Sequence, residues 1–327
     1  MTNCPTGTLS PIQMLQATEQ QVDDILQYPV LIEALRQGFC DNYLVPPRHH
    51  HDFATPKTGQ EATLLLMPAW QTDTYLGLKT VIVAPGNQQL QLPAIHGVYL
   101  LFNATTGQTL LQCDARTLTK KRTAAASALA ADYLARPDSS SLLMIGTGAL
   151  APELIKAHRC LRPIEKIWIW GRRPAQAERL ATSLRAELDM DISTVPNQRS
   201  VAHQADIIST ATLSPSPVLS GHWLSAGQHI DLVGSYKPDM READNELITR
   251  SSVFVDSRTG APTESGDLYI PLQQGILRLQ DIQADLFELC RKAKAGRRHP
   301  TETTVFKSVG HALEDLVAAQ LLYQHLV

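Results

Sequence analysis

The spacing of apolar residues changes character several times along the chain. Between 9 and 40, the segment SPIQMLQATEQQVDDILQYPVLIEALRQGF puts Ile12, Leu15, Val22 and Ile25 at helical spacing, and predicts a helix that Pro29 interrupts. From 61 to 113 the runs ATLLLMPAW, YLGLKTVIVAP and GVYLLFNATTGQTLLQC are short and rich in Leu, Val and Tyr. Pro-Gly-Asn and Thr-Gly punctuate them, which predicts strands joined by turns in a mixed sheet. RTAAASALAADYLA predicts an alanine-rich helix that stops before Pro137. Strand and helix signals then alternate: SLLMI, a helix, KIWIW, a helix from Pro174 to Leu188, then DISTV, DIISTA, HIDLV and VFVD. Alternation of this kind predicts a parallel sheet covered by helices on both faces. The last segment, VFKSVGHALEDLVAAQLLYQHL, carries Leu313, Leu316, Val317, Ala319 and Leu321 on a helical period. The chain has no internal repeat and no low-complexity tract.

Composition narrows the classes. The 327 residues, 43% hydrophobic and 19% charged, suffice for a full core and two domains. A formal net charge of −3 with no long Lys/Arg run argues against nucleic acid or anionic membrane as partner. No apolar run reaches membrane-spanning length, and MTNCPTGTLSPIQML lacks the features of a secretory leader, so a cytoplasmic protein is expected. Cys4, Cys40, Cys113, Cys160 and Cys290 are scattered and odd in number, which fits reduced thiols. Most of them, Cys160 included, are expected to pack rather than react.

The segment SLLMIGTGALAPELIKAHRC carries the clearest chemistry. Gly146-x-Gly148-x-x-Ala151 follows a strand and opens a helix with Pro152 in its first turn, the context of a dinucleotide-binding turn. Gly146 would make the tight turn, Gly148 would let backbone approach a pyrophosphate, and Ala151 would allow close helix–strand packing. Gly146, Thr147, Gly148, Ala149 and Leu150 are therefore expected to hold a cofactor. The next strand ends in Gly171-Arg172-Arg173 rather than in an acid. With no carboxylate to repel a 2′-phosphate and two guanidiniums to bind it, Arg172 and Arg173 favour NADPH, with NADH as an alternative. Thr210, Ala211, Thr212, Val233 and Gly234, at later strand ends, join the expected cofactor set, and Ser209 is a further hydroxyl there. The fold class is α/β: a Rossmann-type doubly wound parallel sheet domain plus a mixed α+β domain for substrate binding and dimerisation.

Several separated blocks carry a family resemblance: GLKTVIVAPGN, TKKRTAAASALAADYLA, the glycine fingerprint, VGSYKPDMREAD, ESGDL and VFKSVGHALEDLVAA, in that order. Together they resemble the ornithine cyclodeaminase/mu-crystallin family over nearly the whole chain. The resemblance implies that Arg48, Lys79 and Arg122 are the catalytic and substrate-binding cations, with Tyr236 and the backbone of Val309 and Gly310 nearby. It also implies a homodimer built on the substrate domain. Converging guanidiniums would orient an α-carboxylate, and Lys79 would orient the substrate or deliver a proton. Where cyclodeaminases carry two acids, this chain has Leu65 and Tyr236, so ornithine cyclisation loses its cation partner. The VGSYKPDMRE form resembles instead the branch that reduces Δ1-pyrroline-2-carboxylate and Δ1-piperideine-2-carboxylate to L-proline and L-pipecolate. An amino-acid dehydrogenase, a cyclodeaminase and a non-catalytic NADP-dependent ligand binder like mu-crystallin stand as alternatives. The expected partition is 1–122 with 303–327 for substrate and dimerisation, and 123–302 for the dinucleotide. His49, His50 and His51 are adjacent and cannot all reach one ion, so no metal site is expected, and a partly exposed loop is.

Overall fold

The computed structural model describes residues 13–327. In chain order the elements are β1 (Leu15–Ala17), α1 (Glu19–Ile25), α2 (Tyr28–Cys40), β2 (His49–Thr55), β3 (Gln60–Gln71), β4 (Tyr75–Val83), β5 (Ile95–Asn103), β6 (Thr109–Asp114) and α3 (Ala115–Leu134). There follow β7 (Ser141–Ile145), α4 (Ala151–Leu161), β8 (Lys166–Trp170), α5 (Pro174–Leu188), β9 (Asp191–Thr194), α6 (Arg199–Ala202), β10 (Ile207–Thr210) and β11 (His229–Leu232). The rest are α7 (Asn245–Thr249), β12 (Ser252–Val255), α8 (Ala261–Glu264), α9 (Gly266–Gln273), β13 (Ile282–Asp285), α10 (Leu286–Cys290), β14 (Thr304–Lys307) and α11 (Ala312–Leu326). Packing separates two compact units, one comprising the residues up to Leu26, Asn42–Thr119 and Asp315–Val327, the other Gln27–Asp41 and Lys120–Glu314.

The first unit contains a six-stranded sheet in the order β1-β6-β5-β4-β3-β2. Its pairs are antiparallel except β1 with β6. One cross-strand row runs Ala17, Cys113, Tyr99, Lys79, Met67, all five buried. Four of these suit a core, and the fifth is a cation that must find a partner there. The single helix expected over 9–40 is replaced by strand and two helices. Leu15 lies in β1 opposite Leu111, and Thr18 starts α1 through a capping box with Gln21. Pro29 sits in the first turn of α2, where its missing N–H costs nothing, so it begins a helix rather than interrupting one. Ile12 lies outside the described residues. The three histidines, expected in a loop, form the start of the edge strand β2 opposite Leu66, Leu65 and Leu64.

The second unit holds an eight-stranded, wholly parallel sheet in the order β13-β12-β14-β11-β10-β7-β8-β9. Every residue of β7, β10, β11 and β14 is buried, as strands covered on both faces require. The chain leaves β7 towards β8 and β9, then returns to place β10 on the other side of β7. That reversal is the switch point at which open sheets of this type bind ligands. Residues 304–307, read from sequence as the approach to the last helix, are a strand lodged between β11 and β12, so the parallel sheet extends past 302.

Asp206, just before β10, ties three segments together. It accepts from the Ser140 N–H at 2.9 Å, the Ser141 N–H at 3.0 Å and the Ser141 hydroxyl at 2.8 Å, and pairs with Arg136. Burial opposes its ionisation, but these donors and the guanidinium outweigh burial and hold its carboxyl below the usual range. A depressed folded pKa gives stability that is present above the unfolded value, near pH 4, and lost as pH falls through the folded one. Asp206→Asn is therefore expected to destabilise the chain by about 2 kcal/mol at pH 7 and by much less near pH 2. Urea unfolding at the two pH values measures this, and an equal loss at both would contradict it.

Candidate active site

The expected cofactor residues lie along the carboxyl ends of adjacent strands in the second unit. The Gly146 N–H donates to the Trp170 carbonyl at 2.8 Å, the Ala211 N–H to the Ile145 carbonyl at 2.9 Å, and the Val233 N–H to the Thr210 carbonyl at 2.9 Å. These bonds continue the ladder one step past β8, β7, β10 and β11. Gly146 has φ of 127°, and a Cβ there would lie 2.6 Å from the Ala211 carbonyl oxygen, so only glycine makes this turn. Thr147 and Gly148 follow in the loop, and Ala149 and Leu150 lead into α4, whose first turn contains Pro152 and has no side-chain cap. Thr210 is fully buried at the end of β10, and its hydroxyl has no hydrogen-bond partner among the described residues. A tight glycine turn, a helix start without a side-chain cap and an unsatisfied hydroxyl at the switch point fit a dinucleotide. Arg172 and Arg173 are exposed after β8, ahead of α5. Ser209 turns elsewhere: its hydroxyl donates to Asp231 at 2.7 Å, beside His158 at 3.2 Å and Ser127 at 3.0 Å. That cluster is completely buried and serves the packing of α3 and α4 on the sheet.

Arg122, on α3, belongs to the same unit. It is buried, and its Nη1 lies 2.6 Å from Glu314 Oε2. A Cβ on Gly310 would stand 2.7 Å from that Nη1, which places the guanidinium directly against the 309–310 backbone. The Val309 and Gly310 N–H groups donate to Asp256 Oδ2, each at 2.7 Å. Burial pushes the Asp256 carboxyl up from its ordinary value despite these donors. Asp256 thus fixes the turn that faces Arg122. Tyr236 is partly buried in the loop after β11, with the Lys237 ammonium 5.9 Å from its ring centre.

In the first unit, Lys79 stands in the middle of β4 and its Nζ lies 2.7 Å from Asp315 Oδ2, with Thr119 Oγ1 at 3.4 Å. Both charged side chains are buried. Burial, the Asp315 charge and Cys113 push the Tyr99 hydroxyl well above its ordinary pKa, and burial with Asp114 and Asp315 pushes the Cys113 thiol up to about 12. Neither is an acid or nucleophile at neutral pH, which leaves Lys79 and Asp315 as the charged pair of this face. Arg48 is half-buried immediately before β2, and Leu65 lies on β3 opposite His50 and Val81. Among the described residues no group of three or more His, Cys, Asp or Glu is placed to hold a metal ion. Cys113 and Cys290 are buried, whereas Cys160, expected to pack, is exposed like Cys40.

The sequence profile of the ornithine cyclodeaminase/mu-crystallin family matches residues 13–327. The chain belongs to that family. A Δ1-pyrroline-2-carboxylate reductase of Paracoccus denitrificans is 38% identical over 293 residues, covering 89% of this chain and 90% of its own. Thermococcus litoralis Δ1-pyrroline-2-carboxylate reductase, solved with NADH and L-proline, superposes with a TM-score of 0.88 at 33% identity, over 95% of this chain and 97% of that one. An archaeal alanine dehydrogenase dimer with bound NAD gives a TM-score of 0.87 at 28% identity, over 95% of each chain. Within this member of the ornithine cyclodeaminase/mu-crystallin family, the acids that orient the expected cations were not singled out from sequence. Asp256, Glu314 and Asp315 carried a signal all the same, because carboxylates inside apolar runs such as GHALEDLVAA must be paired to be buried.

Proposed function

We propose that this chain is an NAD(P)H-dependent reductase of cyclic ketimino acids, converting Δ1-pyrroline-2-carboxylate to L-proline and Δ1-piperideine-2-carboxylate to L-pipecolate. The observation that carries the reading is its likeness, along almost the whole chain, to the Thermococcus litoralis reductase solved with NADH and L-proline. Leu65 and Tyr236, at the positions where cyclodeaminases resemble one another in carrying acids, suit a ring with no charged tail.

A bound nicotinamide supplies hydride to the imine carbon. Arg122 and Arg48 hold the substrate carboxylate, Arg122 with its orientation set by Glu314 and the 309–310 turn. Lys79, held by Asp315, is the proposed group for orienting the substrate or delivering a proton to it. Gly146, Thr147, Gly148, Ala149 and Leu150 cradle the pyrophosphate, and Thr210, Ala211, Thr212, Val233 and Gly234 carry the other half of the dinucleotide. The second compact unit serves as the dinucleotide domain, extended to β14, and the first serves substrate binding and dimerisation. A homodimer acting in the cytoplasm is part of the proposal, supported by the alanine dehydrogenase dimer and by the exposed thiols of Cys40 and Cys160.

NADPH is the proposed reductant, because Arg172 and Arg173 lie exposed at the end of β8, where the adenosine ribose of a dinucleotide sits. Replacing both with Ala is expected to raise the KM for NADPH about tenfold to a hundredfold while changing that for NADH little. Equal effects on the two cofactors would remove the assignment. The substrate side is tested by supplying ornithine with NAD+ and measuring proline and ammonia. The proposal expects neither, and their formation would show a cyclodeaminase.

A further inference from the structure

Glu242 is a fully buried carboxylate whose two oxygens reach two different loops. Its Oε1 accepts from the Thr212 N–H at 2.7 Å and the Thr212 hydroxyl at 2.8 Å, and its Oε2 accepts from the Gly234 N–H at 2.7 Å. Thr212 follows β10 and Gly234 follows β11, neighbouring parallel strands paired through Thr210 and Leu232. The loops also touch directly, since a Cβ on Gly234 would lie 2.0 Å from the Thr212 carbonyl oxygen. Glu242 is held in turn. Its own N–H and that of Ala243 donate to Asp267 Oδ1 at 2.7 and 2.9 Å. Lys307 Nζ lies 3.4 Å from Asp267 Oδ2 and donates to the Leu232 carbonyl at 3.0 Å. All three charged side chains are completely buried. Removing such charges from water is costly, and many apolar residues would fill the space at less cost. What an apolar residue cannot do is satisfy an N–H on each of two loops with one rigid group.

A dinucleotide bound at the switch point puts its adenosine half over β7 and β8 and its other half over β10 and β11. We propose that Glu242 is a positioning residue for the nicotinamide half of the cofactor: it clamps the Thr212 and Gly234 loops into one surface, with Asp267 and Lys307 bracing the clamp. The proposal rests on the dinucleotide reading of the Gly146 turn. It assigns Glu242 no contact with the reacting atoms.

Glu242→Gln keeps the shape but turns one acceptor into a donor, so one loop N–H faces an amide N–H. In the full-length chain, titration with ADP-ribose and with NADH separates the two halves of the site. The expected variant binds ADP-ribose within about twofold of wild type, binds NADH at least roughly tenfold more weakly, and loses at least roughly tenfold in kcat at saturating NADH. Thr212→Val removes only the hydroxyl arm of the clamp and is expected to show the same selectivity at a few-fold effect, which keeps the test open if the glutamine variant does not fold. Equal weakening of both ligands, or no weakening of NADH, in the folded variants overturns the clamp alone. A wild-type chain that binds none of ADP-ribose, NADH and NADPH overturns the dinucleotide reading and the clamp with it.

Discussion

Arg122→Lys is expected to lower kcat/KM for a cyclic ketimino acid by about 10²-fold or more, with most of the chain's stability retained. The guanidinium is wedged between Glu314 and the Gly310 backbone, so its plane is set before any substrate arrives. A fork-shaped cation can keep Glu314 on one nitrogen and present others to a carboxylate. An ammonium is a point charge on a more flexible stem and cannot hold both in one geometry. Steady-state kinetics with Δ1-pyrroline-2-carboxylate, alongside thermal unfolding, measure the effect. A lysine variant within a few-fold of wild type would show that Arg122 acts as charge alone or not at all.

The second large effect is expected at Lys79. Lys79→Met removes the buried cation that pairs with Asp315, a change expected to cost about 3–5 kcal/mol of stability. The double variant Lys79→Met with Asp315→Asn removes both charges of the pair, and is the form in which the activity loss is best read. A loss of about 10²-fold in kcat/KM is expected, constant across the pH range. The reason lies in the 2.7 Å contact: a buried carboxylate this close favours the charged ammonium and opposes giving its proton to substrate. On this account Lys79 is expected to act as a fixed cation, with solvent supplying the proton to nitrogen. A loss that grows at high pH, together with disappearance of the basic limb of the wild-type profile, would assign proton delivery to Lys79 instead.

Much of the architecture was legible because parallel sheets write themselves as apolar runs. SLLMI, KIWIW, DIISTA, HIDLV and VFVD each fall on a strand of the second unit. The failures are local competitions. Leu15 fits a helical period, but Thr18 and Gln21 start the helix only after it, and the three residues before Thr18 gain more by pairing with β6. Pro29 reads as a breaker in the sequence because a proline that ends one helix and one that begins the next look alike without the turn between them. The three histidines carry no apolar alternation because β2 is an edge strand and most of its residues are exposed. VFK at 305–307 is too short to separate from the helix that follows, and only its neighbours β11 and β12 make it a strand.

The site divides along the same line. The glycine turn at Gly146 is visible as a motif because backbone geometry restricts that position to glycine. The acids that hold the cations are invisible as a motif because their partners are distant in sequence: Lys79 meets Asp315, and Arg122 meets Glu314. Consecutive acids at the start of α11 look like an ordinary helix N-terminus, where negative charge is welcome in any case. Only the fold shows which cation each of them meets.

The most direct measurement of the central claim is the oxidation of NADPH or NADH by the purified chain on addition of Δ1-pyrroline-2-carboxylate. Pyruvate with ammonia, and no substrate, serve as the controls, and the product is resolved by chirality. The account predicts substrate-dependent oxidation with stoichiometric L-proline, and none with the controls. Rapid oxidation with pyruvate and ammonia but not with the cyclic imine would instead make the chain an amino-acid dehydrogenase, and tight binding of cofactor and imine without turnover would make it a binding protein.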